Sequence, residues 1–282
     1  MQVGQYKLIE YLGGGSFGAV YSAKNINTGS ESAVKIALEA KGEAGIELLR
    51  HEGNMHSALT GISGVPQLKA CGTWEKGYYV ALPLLGKTLT AAVRDPTCPA
   101  GIPETRETVA LAVALVVLRT LQKVHARGLV HRDVTPANIM FGKNGRGIWL
   151  CDFGLARPYR ENSVHQEETH GNALVGTAAF LSGPVGEGVK PARRDDIESL
   201  AYCVWYVVCR GGTPWTGCES RSLDAMSSLI KRTGHPIVFR LLSHARSIGF
   251  RSAPDYEGLM LDIRRARASG QCTPSGVPGP NE

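Results

Sequence analysis

No two of the seven cysteines in this 282-residue sequence stand at C-x-x-C spacing; they fall at 71, 98, 151, 203, 209, 218 and 272. An odd, scattered set excludes the common zinc modules and a disulfide framework, and reads as reduced thiols of a cytoplasmic or nuclear protein. The opening residues Met1-Gln2-Val3-Gly4-Gln5-Tyr6-Lys7 lack the basic-then-apolar pattern of a secretory signal. Long apolar runs are missing as well. The longest, Val109 to Leu118 and Leu200 to Cys209, are about half of what a bilayer requires, so they are expected as core helices with no membrane role. There is no internal repeat and no sign of a second domain. Nor is there a strong excess of charge: the net value is +6 and 20% of residues are charged, against 43% hydrophobic. A mildly basic solvated surface outweighs nucleic-acid binding as its meaning, and attraction to nucleotides and acidic proteins is the functional counterpart.

What the chain does have begins with glycine. Tyr6 to Leu12 reads as a strand, followed by Gly13-Gly14-Gly15-Ser16-Phe17-Gly18-Ala19-Val20. A dinucleotide-binding fold would open a helix here. Instead Ala19 to Lys24 is extended and meets a polar turn at Asn25 to Gly29, so strand, glycine turn and strand describe a flap whose amides can cover phosphates. An ordinary glycine-rich hairpin is the competing reading. In the next strand, Ser32 to Leu38, Val34, Ile36 and Leu38 alternate with Ala33, Lys35 and Ala37. Small residues beside one lysine make a floor for a flat base, with the ammonium near phosphate oxygens. A helix from Glu43 to Leu59 offers Glu47 and Glu52 as partners for Lys35. Strands follow at Gln67 to Cys71 and Tyr78 to Leu82, then the connector Pro83-Leu84-Leu85-Gly86.

Beyond it come a short helix from Lys87 to Arg94, a loop with Pro96, Pro99 and Pro103, and a long helix from Arg106 to Arg127 whose middle is apolar almost all round. His131-Arg132-Asp133-Val134-Thr135-Pro136-Ala137-Asn138 follows, and Asp152-Phe153-Gly154 begins fourteen residues after that asparagine. Apolar Ile139 to Phe141 and Ile148 to Leu150 flank Gly142, Asn144, Gly145 and Gly147, the chemistry of a hairpin turn. Pairing of those runs brings two acids and an amide together, which suits phosphoryl transfer: one group accepts a hydroxyl proton while oxygens hold magnesium. Residues 152 to about 185 are polar and poorly periodic, as in a mobile segment lining a substrate site. His165, Glu167, Glu168 and His170 fit no zinc spacing and are read as solvated loop. Helices are expected over Asp195–Arg210, Ser220–Arg232, Pro236–Arg246 and Asp255–Ala268, with a disordered tail over 269–282.

Taken together, these motifs resemble the protein kinase superfamily over about residues 5 to 268. Three features are similar to the casein kinase 1 group and its viral relatives, and the compact length suits a viral member. They are Arg193-Arg194-Asp195-Asp196-Ile197-Glu198-Ser199-Leu200 followed by Pro214-Trp215; Gly176-Thr177-Ala178 without an alanine-proline-glutamate motif after it; and Phe250-Arg251-Ser252-Ala253-Pro254-Asp255-Tyr256. The resemblance implies an α+β fold of two lobes, a β-rich one over about 5–82 and a mainly helical one over 87–268, joined by a hinge at 83–86. It implies a serine/threonine protein kinase that uses ATP and magnesium on protein substrates with an acidic leaning. Leu12, Gly13, Gly15, Gly18 and Val20 would form the phosphate flap and adenine roof, and Ala33, Leu82, Pro83 and Leu85 the rest of the adenine site. Lys35 would hold the α- and β-phosphates, paired with Glu52 rather than Glu47. Asp133 would act as base, Asn138 and Asp152 would hold magnesium, and Asp196 would brace the catalytic loop.

Two positions depart from the family pattern. Thr135 stands where serine/threonine kinases carry a lysine that meets the γ-phosphate, and Ala179 replaces a basic residue that helps bind phosphate-primed substrates. The first predicts slower transfer. It also keeps open an alternative, a pseudokinase that binds nucleotide and acts as scaffold or competitor. The second puts primed-site preference in doubt and leaves Arg157 and Arg160 as candidate attractors of acidic residues. Ser163, Thr169, Thr177 and Ser182 are candidate phosphorylation positions.

Overall fold

The structure, a computed structural model, describes residues 1–15, 18–39, 42–95, 105–216, 222–233 and 235–269. The flap tip at Ser16 and Phe17, the loop with Pro96, Pro99 and Pro103, and the tail from 270 onwards lie outside the described residues.

Strands β1 (Gln2–Val3), β2 (Tyr6–Gly15), β3 (Gly18–Asn25), β4 (Glu31–Leu38), β5 (Ala70–Trp74) and β6 (Gly77–Pro83) form one antiparallel sheet in the order β1-β2-β3-β4-β6-β5. Alternation in β4 puts Ser32, Val34 and Ile36 into the interior while Ala33 and Lys35 stay half-buried on the other face. Helix α1 (Glu43–Ala58) closes one side of the sheet, packing Ile46 and Leu49 against Ala37, Tyr78 and Val80. Strand β5 starts at Ala70 rather than Gln67. The reason is local: the Gln67 side chain accepts from Gly61 N–H and donates to the Ile62 and Val65 carbonyls, so it holds the turn instead of entering the sheet.

The second layer is helical. Helix α2 (Leu89–Arg94) is capped by Thr88, whose hydroxyl accepts from Ala91 N–H. Helix α3 (Arg106–Ala126) is 21 residues long, with a window of mean hydropathy 1.5, so by length and composition it could cross a membrane. That is more than its short unbroken apolar run implies. Its apolar surface is spent inside the protein: Ala110, Val113, Ala114, Val117, Leu118, Leu121 and Val124 are fully buried, and each such branched side chain contributes roughly 1.5–3 kcal/mol of burial. It packs on α5 (Arg193–Val208) and α8 (Tyr256–Ala268). Helices α6 (Leu223–Thr233) and α7 (Pro236–Ser247) complete the layer, α7 lying on α5.

Between the layers run short strands: β7 (Leu129–Val130), β8 (Ile139–Phe141) and β9 (Ile148–Leu150). The β8–β9 hairpin pairs Ile139 with Leu150 and Phe141 with Ile148, as the glycine-rich turn implies. Residues 152–185 carry more structure than their composition suggests. Strand β10 (Arg157–Pro158) pairs with β7, β11 (Arg160–Glu161) with β12 (Val164–His165), and α4 (Gly183–Gly186) ends the segment. His165 is not a solvated loop residue: its ring lies 5.2 Å from that of Tyr159 and 5.1 Å from Phe250. Glu168 pairs with Arg194 and Glu167 with Arg251, and no metal-binding cluster exists among the described residues.

Candidate active site

The loop from His131 to Asn138 leaves β7 through a backbone that only outside help can hold. Arg132 sits at φ 73, a left-handed conformation that costs a residue with a side chain about 1 kcal/mol or more. Asp196, buried on α5, supplies the help: its oxygens accept from His131 N–H at 2.8 Å and Arg132 N–H at 2.9 Å. The same carboxylate lies 2.8 Å from Nε2 of buried His125, whose Nδ1 is 2.5 Å from the Tyr256 hydroxyl. Burial alone would push the Asp196 carboxyl upward, but His125 and the amides outweigh it and hold the group below its ordinary value. The loop is thus braced by a fixed anion, itself tied to helices α3 and α8.

Asp133 is held on both oxygens. Asn138 Nδ2 donates to Oδ2 at 2.8 Å and to the Asp133 carbonyl at 2.9 Å, while Thr177 donates its N–H and hydroxyl to Oδ1 at 2.9 and 2.8 Å. Gly176, at φ 113, makes this approach possible; a Cβ there would lie 2.7 Å from the Arg132 carbonyl. Because the Asn138 amide nitrogen faces Asp133, its oxygen is left for another ligand.

Asp152 follows β9 at φ 59, with Oδ1 accepting from Gly154 N–H at 3.2 Å. Lys35 reaches it from the sheet at 3.6 Å and lies 2.6 Å from Glu52 Oε2. Glu52 is therefore the partner, and Glu47 instead faces Arg50 at 3.7 Å on the surface. Burial raises the Glu52 carboxyl to about 6, even with Lys35 pulling it down. Burial likewise draws Lys35 downward, but Glu52 and Asp152 outweigh it, so the ammonium is held above its ordinary value. The two partners' shifts point opposite ways for the strength of the pair. The geometry supports a charged pair at neutral pH, since two carboxylates face one ammonium. Lys35, Leu48, Glu52, Asp133, Asp152, Gly154 and Leu155 line one cleft.

On the sheet side, Gly13, Val20 and Lys35 stand opposite one another across β2, β3 and β4. Strand pairing also sets Ala33 beside Leu82 and Ser32 beside Pro83, and Leu85 is half-buried just beyond. Leu12 is 49% exposed at the flap's root, and Gly15 pairs with Gly18 where the flap turns. Gly18 must be glycine: at φ 144, a Cβ would lie 2.2 Å from the Ile36 carbonyl oxygen.

Four sequence-chosen positions sit differently from their expected exposure. Thr135 is 3% exposed and is not among the cleft's lining residues. Ser182 is buried and donates its hydroxyl to Asp195 at 2.6 Å, which removes it as an open phosphorylation position. Arg157 and Arg160 donate to backbone carbonyls, Arg157 to Gly154 and Ala156 and Arg160 to Ala126, so their guanidinium groups are not wholly free to attract substrate. Thr177, His125 and Tyr256 make contacts that local sequence patterns miss, although Thr177 and Tyr256 stand within the Gly176–Ala178 and Phe250–Tyr256 motifs. Their contacts span 44, 71 and 131 residues.

A lysine–glutamate pair under a glycine flap, an aspartate caged by an asparagine and a threonine, and a second aspartate facing the lysine define a site for moving phosphoryl groups. The chain belongs to the protein kinase domain family, whose family model matches residues 6–240. That membership supports a kinase of α+β, two-lobed architecture, and implies ATP as the phosphoryl donor, usually with magnesium, and proteins as acceptors.

Proposed function

We propose that the protein is a serine/threonine kinase of casein kinase 1 character, with one kinase domain over about residues 5–268, acting inside the cell. The observation that carries this reading is the convergence of Lys35, Glu52, Asp133 and Asp152 on one cleft, with Asn138 bonded to Asp133. Asp133 is the base: fixed on both oxygens, it sits where an acceptor hydroxyl can pass it a proton. Lys35, kept charged by its carboxylates, orients the α- and β-phosphates, while Ala33, Leu82, Pro83 and Leu85 bound the adenine, with the Pro83 carbonyl still able to accept.

The donor set suits magnesium. The Asn138 amide oxygen and the Asp152 carboxylate, which is 43% exposed on its side chain, are hard oxygens with room for water and phosphate. When bound, the metal neutralises phosphate charge. The chain's own contribution is to hold those two oxygens beside the base.

Thr135 leaves the transferring phosphate without the usual lysine, so turnover slower than that of a lysine-bearing kinase is expected. The deciding experiment is transfer of labelled γ-phosphate from ATP with magnesium to casein, with Asp133→Asn in parallel. Signal that falls to background in the variant, with nucleotide binding kept, supports the reading. No signal from the wild type, with nucleotide still raising its melting temperature, replaces it with the pseudokinase.

A further inference from the structure

We propose that Tyr11 is a positioning residue for the nucleotide phosphates: its ring, seated on Tyr21, lies over Gly14 and braces the glycine flap from outside. This rests on the kinase reading, in which the flap covers the phosphates, and it concerns a residue on the face away from them.

The placement begins with strand register. Tyr11 pairs with Tyr21, Gly13 with Val20 and Gly14 with Ala19, so Leu12 is the extra residue of a bulge. Strict alternation would set Tyr11 and Gly14, three residues apart, on opposite faces of the sheet. The bulge returns them to the same one. A Cβ at Gly14 would lie 2.8 Å from the Tyr11 hydroxyl oxygen, which puts that hydroxyl over the backbone of the flap. The rings of Tyr11 and Tyr21 meet edge to face, with centroids 5.5 Å apart. Tyr21 in turn stands opposite buried Val34 and packs on the cluster that holds Tyr6, Leu8 and Ile36. A line of contacts therefore runs from the core of the β-rich lobe through Tyr21 and Tyr11 to Gly14.

That line occupies the outer face. Lys35 lines the cleft and pairs with Val20, whereas Tyr21 and Val34, one residue along, point the other way. Tyr11 thus acts only by limiting how far the flap lifts. Glycine loses more conformational freedom on being fixed than any other residue, so a hairpin built on it is costly to order. A ring held against its outer side removes part of that freedom before the phosphates arrive, and less is then lost on binding. Tyr11 is itself 59% exposed, so its removal costs the core little and the fold is expected to stand. A bracing role therefore predicts a selective defect: ligands that carry phosphates lose affinity and those without them keep it.

The test compares wild type, Tyr11→Phe, Tyr11→Ala, Gly14→Ala and the double variant of Tyr11→Phe with Gly14→Ala. Calorimetry gives Kd for ATP with magnesium and for adenosine, which lacks the phosphates; initial rates give KM for ATP and for casein. Tyr11→Ala is expected to raise Kd and KM for ATP about fivefold, with Kd for adenosine and KM for casein within about twofold of wild type. Tyr11→Phe, which keeps the ring, should hold wild-type values. Gly14→Ala sets a methyl group against the hydroxyl, so it should weaken ATP more in the wild-type background than in the Tyr11→Phe background. An unchanged Kd for ATP in Tyr11→Ala, or an equal rise for ATP and adenosine, overturns the proposal. Should Tyr11→Ala fail to fold, the Gly14→Ala comparison decides, and an equal loss in both backgrounds overturns it. A wild type that binds ATP but transfers no phosphate refutes the kinase reading alone, because the two dissociation constants still decide the role of Tyr11. A wild type that binds neither ligand overturns this proposal as well.

Discussion

Thr177 gives two hydrogen bonds to one oxygen of Asp133, through its amide at 2.9 Å and its hydroxyl at 2.8 Å. The other oxygen takes Asn138. The aspartate therefore cannot rotate without breaking three bonds, and it is aimed by two segments far apart in the chain. Any acceptor hydroxyl has to approach a carboxylate that is already oriented, which is what a base in a positioned reaction requires.

Thr177→Val keeps the shape of the side chain and the backbone bond while removing the hydroxyl. A hydrogen bond to a charged acceptor is worth roughly 1.5–3 kcal/mol, so kcat towards casein should fall about tenfold to a hundredfold. KM for ATP should hold, and Thr177→Ser should restore most of the loss. A valine variant that turns over at the wild-type rate removes Thr177 from the positioning of Asp133.

Glu52 makes activity and stability respond to acid in opposite directions. Its carboxyl sits at about 6 in the folded protein, above the ordinary value of 4.5. The folded state therefore binds this proton more tightly than the unfolded chain, so the group's stabilising contribution is complete below pH 4.5 and is lost as pH rises through 6. The charged pair with Lys35 behaves inversely: it exists above about pH 6 and weakens below. A pH–rate profile should show an acid limb near 6, and Glu52→Gln should lower kcat at every pH and abolish that limb. An acid limb that persists unchanged in the glutamine variant assigns it to another group.

Most of the architecture can be read locally, because it rests on period and turn chemistry. The alternation in Ser32–Leu38, the Gly-Lys-Asn-Gly turn after Phe141 and the apolar middle of Arg106–Ala126 each announce an element close to where it forms. Ordering of residues 152–185 is hidden for the opposite reason. Its fixings are long-range contacts of individually ordinary side chains: Arg193 over Tyr159 at 4.6 Å, His165 against Phe250, Ser182 on Asp195. A segment held from outside needs no internal periodicity. The site divides in the same way. Lys35, Asp133, Asn138 and Asp152 stand in spaced motifs. Thr177, His125 and Tyr256 act across the fold; Thr177 and Tyr256 stand in motifs of the family resemblance, but no local pattern announces the contacts they make.

His56 offers the clearest stability test, because its ring is sealed between the sheet-side helix and the active-site loops. Nδ1 is 3.0 Å from the Pro66 carbonyl, Nε2 has no hydrogen-bond partner, and the ring lies 5.5 Å from Phe153 and edge-on to it. Burial drives its pKa from 6.5 down to about 4, so the folded state holds it neutral while the unfolded chain takes up a proton below 6.5. The sign follows: its contribution is complete above pH 6.5 and is lost as pH falls towards 4, by roughly 3 kcal/mol in total. Glu52 and Asp195, both raised to about 6 by burial, run the other way and partly mask it in the whole protein's curve. The difference between wild type and His56→Leu isolates it. Leucine leaves the Pro66 carbonyl short of a donor at every pH, a constant cost, but removes the titration. Denaturant unfolding of both proteins at pH 7 and pH 4.5 should show the variant gaining about 2–3 kcal/mol on wild type across that interval. A difference that does not change with pH would mean that His56 meets water or a proton acceptor in the folded state.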